Sequence, residues 1–179
     1  NLVLSWDDNV EITLGLPTDV SGAYALKSID AAIDAAKNGK IHALLTAPIN
    51  KHNIAASVEG FSGHTGYLAK EFSNDVLMIL ASDVLKVATV TGHVPISKVA
   101  EGITEASINK AIVLLAQSLK RDFGVVKPRI AVLGLNPHAG EMGTIGSEEK
   151  DIIRPAIENA EHKNTIVKGP FPADGFFGQ

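Results

Sequence analysis

Short, nearly continuous apolar runs alternate along this chain with longer segments of helical period, and that alternation limits what the chain can fold into. Val76 to Ala81, Leu85 to Val90 and Arg129 to Leu135 have strand length and carry few polar side chains. Strands that are apolar on both faces need cover on both faces, which helices give to a mainly parallel sheet. The helical segments are equally legible. Ser21 to Lys37 places Ala25, Ile29, Ala32, Ile33 and Ala36 along one side and stops at Asn38-Gly39. Gly63 to Phe72 reads as a helix. Thr104 to Arg121 is the clearest: Thr104 can cap it, and Ile108, Ala111, Ile112, Leu115 and Leu119 form its stripe. Phe123-Gly124 and Pro128 end it. Ser147 to Glu161 reads as a helix bent near Pro155. Ala43 to Ala47 predicts a short buried strand closed by Pro48, Ser82-Asp83 a turn, and Ile166-Val167 the start of a last strand. The expected fold is a layered α/β/α arrangement with a mainly parallel sheet. In such folds ligands sit beyond the carboxyl ends of the strands.

Composition narrows the function. Lys+Arg 16 against Asp+Glu 20 leaves no basic excess to neutralise phosphates, which argues against a nucleic-acid partner. With no cysteine, the chain has no disulfide, no thiolate metal site and no cysteine nucleophile. A soft metal would have to be held by histidine and carboxylate. A reducing compartment fits, and a cytoplasmic location without a membrane partner is expected. No apolar run approaches the roughly 18 residues of a spanning helix, and Asn1 to Trp6 does not read as an export signal. A hydrophobic content of 45% at net charge −4 speaks against disorder. The first residue is not Met, and Gly175 to Gln179 carries neither a cap nor a charged tail, so the chain reads as cut at both ends.

Three polar loops carry the chemistry. Thr91-Gly92-His93-Val94-Pro95 follows one strand candidate, and Asn136-Pro137-His138-Ala139-Gly140-Glu141 follows another. Each puts a histidine just past a strand, boxed in by glycine and proline that fix the local backbone. Neutral imidazoles are common ligands of zinc and similar ions, and two from neighbouring strands could share one. The plain alternative is a pair of hydrogen-bonded loop histidines, and two ligands are fewer than the three of a usual catalytic site. The third loop, Gly60 to Gly66, precedes a helix whose free N–H groups attract anions, with His64 and Thr65 as possible added donors. Thr65 could equally be only the cap. The Gly140 to Gly146 cluster has the spacing G-x-x-G-x-x-G and leads into Glu148-Glu149, so a standard Rossmann pyrophosphate loop is disfavoured. His42, His52 and His162 lack such surroundings and read as surface residues. No G-x-S-x-G elbow, Walker loop or H-E-x-x-H pair is found.

Taken in order, five blocks resemble one family: Thr46-Ala47-Pro48-Ile49-Asn50-Lys51; Gly63-His64-Thr65; Val90 to Pro95; Gly134 to Glu141; and Gly169-Pro170-Phe171-Pro172-Ala173-Asp174. The series is similar to the 4-hydroxythreonine-4-phosphate dehydrogenase (PdxA) family of pyridoxal phosphate biosynthesis, which also includes dehydrogenases of 4-phosphorylated threonate and erythronate. The resemblance implies that His93 and His138 are two of three metal-binding histidines. It also implies that His64 and Thr65 contact substrate and that Asp174 lies at the active-site cleft. It implies a divalent ion (Zn, Mg, Co or Mn), NAD or NADP, and a homodimer with shared sites. The implied fold is the two-domain α/β architecture of the isocitrate and isopropylmalate dehydrogenases, with residues 1–179 its central portion. Gly66 stands where the family commonly has Glu, and Gly175 where Thr is common. A Gly-Ile-Gly-Pro-Glu-like start is missing, as is a His-Asp-Gln-Gly segment with the third histidine and a nearby lysine.

The implied reaction is oxidation of the secondary hydroxyl of 4-phosphohydroxy-L-threonine to a β-keto acid that loses CO₂. Two other classes stay open: a metal-dependent hydrolase or lyase using His93 and His138, and a non-catalytic phosphate-binding module.

Overall fold

The computed structural model describes residues 9–55, 61, 63–72, 75–159 and 164–178. The chain divides into two compact units, Asn1–Val76 and Leu77–Gln179. The start of the chain, Gly60, Ser62, the end of the Ser147 to Glu161 segment and His162 lie outside the described residues.

In the first unit, α1 (Asp19–Lys37) opens on a reciprocal cap. Thr18 Oγ1 accepts from the Ser21 N–H, and Ser21 Oγ accepts from the Thr18 N–H. Ile29 and Ile33 are buried on the face the sequence predicts. Helix α2 (Lys51–Ala55) packs on α1 where Gly22 meets the backbone of Asn53. Helix α3 (His64–Phe72) is tied to α1 at both ends of its span: the Tyr67 hydroxyl donates to Asp30 at 2.7 Å, and Lys37 pairs with Glu71 at 3.0 Å. Residues 43–47 do not form the expected strand. They have no regular structure, and Leu45 is fully exposed. An apolar run becomes a strand only where a neighbouring strand pairs its N–H and C=O groups, and no described segment does so here.

In the second unit, β1 (Ile79–Ala81) and β2 (Lys86–Ala88) pair antiparallel around the expected turn, where Ser82 N–H donates to Leu85 O at 2.8 Å. A connection this short cannot make the crossover that parallel strands need. The short helix α4 (Val99–Gly102) leads into α5 (Glu105–Arg121), capped by Thr104 and Ser107 as α1 is by its own pair. Strand β3 (Arg129–Leu133) pairs in parallel with β4 (Ile166–Phe171). The fold is thus α/β with a parallel pair, and among the described residues the strands form two two-stranded sheets. The core sets Ile108, Ile112, Leu115 and Leu119 of α5 against Ile130, Ile153 and Ala156. The predicted bend near Pro155 is a change of helix type: a π turn over Glu149–Ile153 gives way to α6 (Arg154–Asn159). Pro155 has no N–H to continue the regular ladder. The last short helix is α7 (Ala173–Phe176). No helix among the described residues is long and apolar enough to cross a membrane.

Candidate active site beyond the ends of two strands

The carboxyl ends of β2 and β3 lead into the two loops singled out by their histidines. Residues from both, Thr89 to Thr91 after β2 and Gly134-Leu135 after β3, line one cavity of about 280 Å³. The residues just past the two strands therefore share a crevice, but neither His93 nor His138 is among those that line it. Both histidines have left-handed backbone, His93 at φ 57° and His138 at φ 54°. Outside glycine this conformation is uncommon, and it collects at functional sites where the surroundings impose it. From His138 it continues through Ala139, Gly140, Glu141 and Met142, one turn of left-handed helix.

His138 has a carboxylate partner. Its Nδ1 lies 2.6 Å from Oδ2 of Asp174, in the first turn of α7. Loss of hydration pushes the Asp174 carboxyl up. Its own backbone N–H and the adjacent imidazole outweigh that and hold it below the usual carboxylate range. An ionised Asp174 can only accept, so it pairs with an Nδ1–H and leaves Nε2 as the ring nitrogen not engaged by it.

The glycine cluster after His138 wraps a buried polar centre. Glu149 is only 4% exposed. Its Oε1 accepts from the Asn136 backbone N–H at 2.7 Å and its Oε2 from Asn136 Nδ2 at 3.0 Å, while Nδ2 also donates to Glu148 Oε2 at 2.7 Å. Burial pushes the Glu149 carboxyl up, but the Asn136 amide and nearby backbone N–H groups hold it below its ordinary value. A Cβ at Gly140 would come 2.6 Å from Glu149 Oε2, so the glycine is there to admit the carboxylate. The sequence reading assigned Glu148-Glu149 only to the helix dipole and missed this. The available signal was the glycine density, which marks close approach to backbone.

In the first unit, His64 opens α3 and Thr65 lies exposed in its first turn, inside the helix rather than at the cap. His64 Nε2 is buried with no hydrogen-bond partner among the described residues. Lys51 stands at the same end of the helix: a Cβ on Gly63 would lie 3.0 Å from its Cε and 3.4 Å from its Nζ. An ammonium, an imidazole nitrogen and helix N–H groups together favour an anion. Lys51 was visible in its motif but had been given no role. His42 and His52 are exposed, as expected.

No cluster of three or more metal-ligating side chains exists among the described residues. The chemistry of the pair nevertheless suits an ion. His93 and His138 can offer imidazole nitrogens, and His138 is backed by a carboxylate in the manner usual for metal-bound histidine.

Residues 3–179 match the family described as pyridoxal phosphate biosynthetic protein PdxA. A 4-hydroxythreonine-4-phosphate dehydrogenase of Bacteroides thetaiotaomicron is 42% identical over 174 residues, 96% of this chain and 48% of that protein. One from Desulforapulum autotrophicum is 42% identical over 97% of this chain and 52% of its own. The crystal structure of the Klebsiella pneumoniae enzyme of that name superposes with a TM-score of 0.84 at 35% identity, covering 92% of this chain and 51% of that one. A terephthalate 1,2-cis-dihydrodioldehydrogenase from Burkholderia xenovorans gives 0.71 at 26% identity, over 94% and 54%. The chain spans about half the length of the curated relatives it matches. By the match over nearly all its residues, the chain belongs to the PdxA family.

Proposed function

We propose that the protein containing this chain is an NAD- or NADP-dependent oxidoreductase that oxidises the secondary hydroxyl of 4-phosphohydroxy-L-threonine, in pyridoxal phosphate (vitamin B6) biosynthesis. The observation that carries the reading is the His138–Asp174 pair in the loop that follows β3, in a chain of this family. His93 and His138 would hold a divalent ion (Zn, Mg, Co or Mn), and Asp174 would orient the His138 ring through its Nδ1. When bound, the ion supplies Lewis acidity at the hydroxyl and the nicotinamide a hydride acceptor for the same carbon. His64, Thr65 and Lys51 bind and orient the anionic substrate at the start of α3. The hydroxyl loses its proton and the carbon its hydride, and the resulting β-keto acid releases CO₂ as its carbonyl accepts the electron pair. Residues 1–179 form a central portion of a two-domain dehydrogenase that works as a cytoplasmic homodimer with shared sites.

The test is NADH or NADPH formation at 340 nm by full-length protein with the phosphohydroxythreonine, and with 4-phosphothreonate and 4-phosphoerythronate as rivals. Turnover of the first, lost in His93→Ala and His138→Ala, supports the reading. Faster turnover of a rival reassigns the substrate within the family. Product without nicotinamide reduction points to a hydrolase or lyase. Ligand binding unchanged in both variants, without turnover, points to a binding module.

A further inference from the structure

We infer that Glu149 is a positioning residue for His138, acting through Asn136 to hold the left-handed turn that presents the imidazole. This rests on the reading of His138 as a metal ligand. The turn His138–Met142 has φ between 43° and 76° at five successive residues, four of them not glycine. L-residues leave that region unless the surroundings over-determine them. Local backbone bonds close the turn, Ala139 N–H to Asn136 O at 3.2 Å, Thr144 N–H to Glu141 O at 3.2 Å and Ile145 N–H to Gly140 O at 3.1 Å. Such local bonds can form in a loop that frays, so they do not anchor it to the core.

Glu149 supplies the anchor. It begins the π turn packed on the second unit's core and is itself buried. Its two oxygens accept from the backbone N–H of Asn136 at 2.7 Å and from Asn136 Nδ2 at 3.0 Å, Nδ2 donating also to Glu148 Oε2 at 2.7 Å, and Asn136 lies two residues before His138. Charge-assisted bonds of this kind are stronger than neutral ones, and the carboxylate has no equivalent partner in water once buried. Its Oε2 also lies beneath Gly140, the middle of the turn, and a Cβ on Gly146 would meet Asn136 Nδ2 at 2.5 Å. The centre is thus closed by backbone at Gly140 and at Gly146. Glutamine at 149 keeps the volume but turns one acceptor into a donor facing the Asn136 amide.

The experiment is titration of the full-length protein with Zn²⁺ alone, by calorimetry, for wild type, Glu149→Gln, Asn136→Ala and His138→Ala, with circular dichroism to check the fold. The expected result is Zn²⁺ affinity reduced about tenfold in Glu149→Gln, at the low end for residues behind a metal ligand. Adding Met142→Gly should recover part of that loss, because glycine adopts the left-handed backbone without help. A merely structural role for Glu149 would lower the melting temperature and leave the Zn²⁺ affinity of the folded protein unchanged, so the affinity is the deciding readout. If Glu149→Gln does not fold, Asn136→Ala, which keeps the backbone bond, decides in the same way. Wild-type affinity in Glu149→Gln with weakened His138→Ala overturns the inference and leaves the metal reading intact. Wild-type affinity in His138→Ala overturns both.

Discussion

His138 and Asp174 meet through Nδ1 and Oδ2 at 2.6 Å, although the two residues come from different elements and both side chains stay about half exposed. Exposed pairs of this kind add little to stability. The value of this one lies in which ring nitrogen it leaves free. Asp174→Asn is therefore expected to leave the melting temperature nearly unchanged and to weaken divalent-metal binding or activity by about 10- to 100-fold. Thermal denaturation and metal titration on the same sample check both halves. A large fall in melting temperature would mean that the pair is mainly structural.

Asp30 governs Tyr67 in the first unit. Burial, the hydrogen bond to Asp30 and the negative charges of Asp30 and Glu71 push the phenol up to about 12. A raised phenol in the folded state stabilises the fold fully below the ordinary value of 10.0, and that contribution is lost as pH rises through about 12. Ultraviolet titration should show one tyrosine ionising late, and Asp30→Asn should return it toward 10.0. An unchanged titration in the variant would assign the shift to burial alone.

Much of this architecture was legible because local signals and burial agree. Thr104 caps the helix that its position predicts, and the Ile108–Leu119 stripe is the stripe that is buried, whereas the first helix starts at Asp19 behind a Thr18 cap, two residues before the expected Ser21. Ala43 to Ala47 misled because apolar composition reports a wish to be buried, whereas a strand also needs a partner. The site was half legible. His93 and His138 stand where strand ends place them, since glycine and proline around a polar residue are local marks. Glu149 was legible only through the glycine density, which marks a close approach: its partner Asn136 lies thirteen residues away in sequence, and the glycines do not say which group approaches.

The Glu149 carboxyl, held below its ordinary 4.5, gives a stability signature in acid. A carboxyl lowered in the folded state stabilises fully above its unfolded value and loses that contribution as pH falls through the folded one. Replacing it by glutamine leaves a buried donor opposed to a donor, a cost of roughly 1–3 kcal/mol at neutral pH. The stability gap between wild type and Glu149→Gln, measured by urea unfolding, should be widest near pH 7 and shrink below about pH 4.5. A gap independent of pH would show that volume rather than charge sets the effect.

Gly22 inverts the usual helix preference. Alanine in place of a helical glycine ordinarily stabilises by about 1 kcal/mol. At this position a Cβ would lie 2.3 Å from the Asn53 carbonyl oxygen and 2.6 Å from its carbon, both backbone atoms that cannot swing aside. Gly22→Ala should therefore push α2 off α1 and destabilise by about 1–3 kcal/mol, as overpacking does. Gly39→Ala is a poor control because its φ is 66°, so Ala25→Gly, with the opposite change, serves better. Chemical denaturation of both variants decides, and a stabilised Gly22→Ala would show that the α1–α2 contact yields readily.

Met142 offers the opposite experiment. It has φ 55° and ψ 26°, and it is 99% exposed, so its side chain contributes almost no packing. Left-handed backbone costs an L-residue roughly 1–2 kcal/mol. Glycine escapes that cost but loses more freedom on folding, so Met142→Gly should stabilise by a net of about 0.5–1 kcal/mol. Met142→Ala separates the causes, since it removes the same exposed side chain and keeps the Cβ. Urea midpoints should rise for glycine and stay near wild type for alanine. Ala139 shares the geometry at φ 52°, but its Cβ sits against Gly134, 3.1 Å from where a Cβ there would stand. Ala139→Gly therefore gives up a contact and should gain less. If neither glycine stabilises, the turn relaxes to ordinary backbone in solution and the left-handed presentation of His138 is not its resting state.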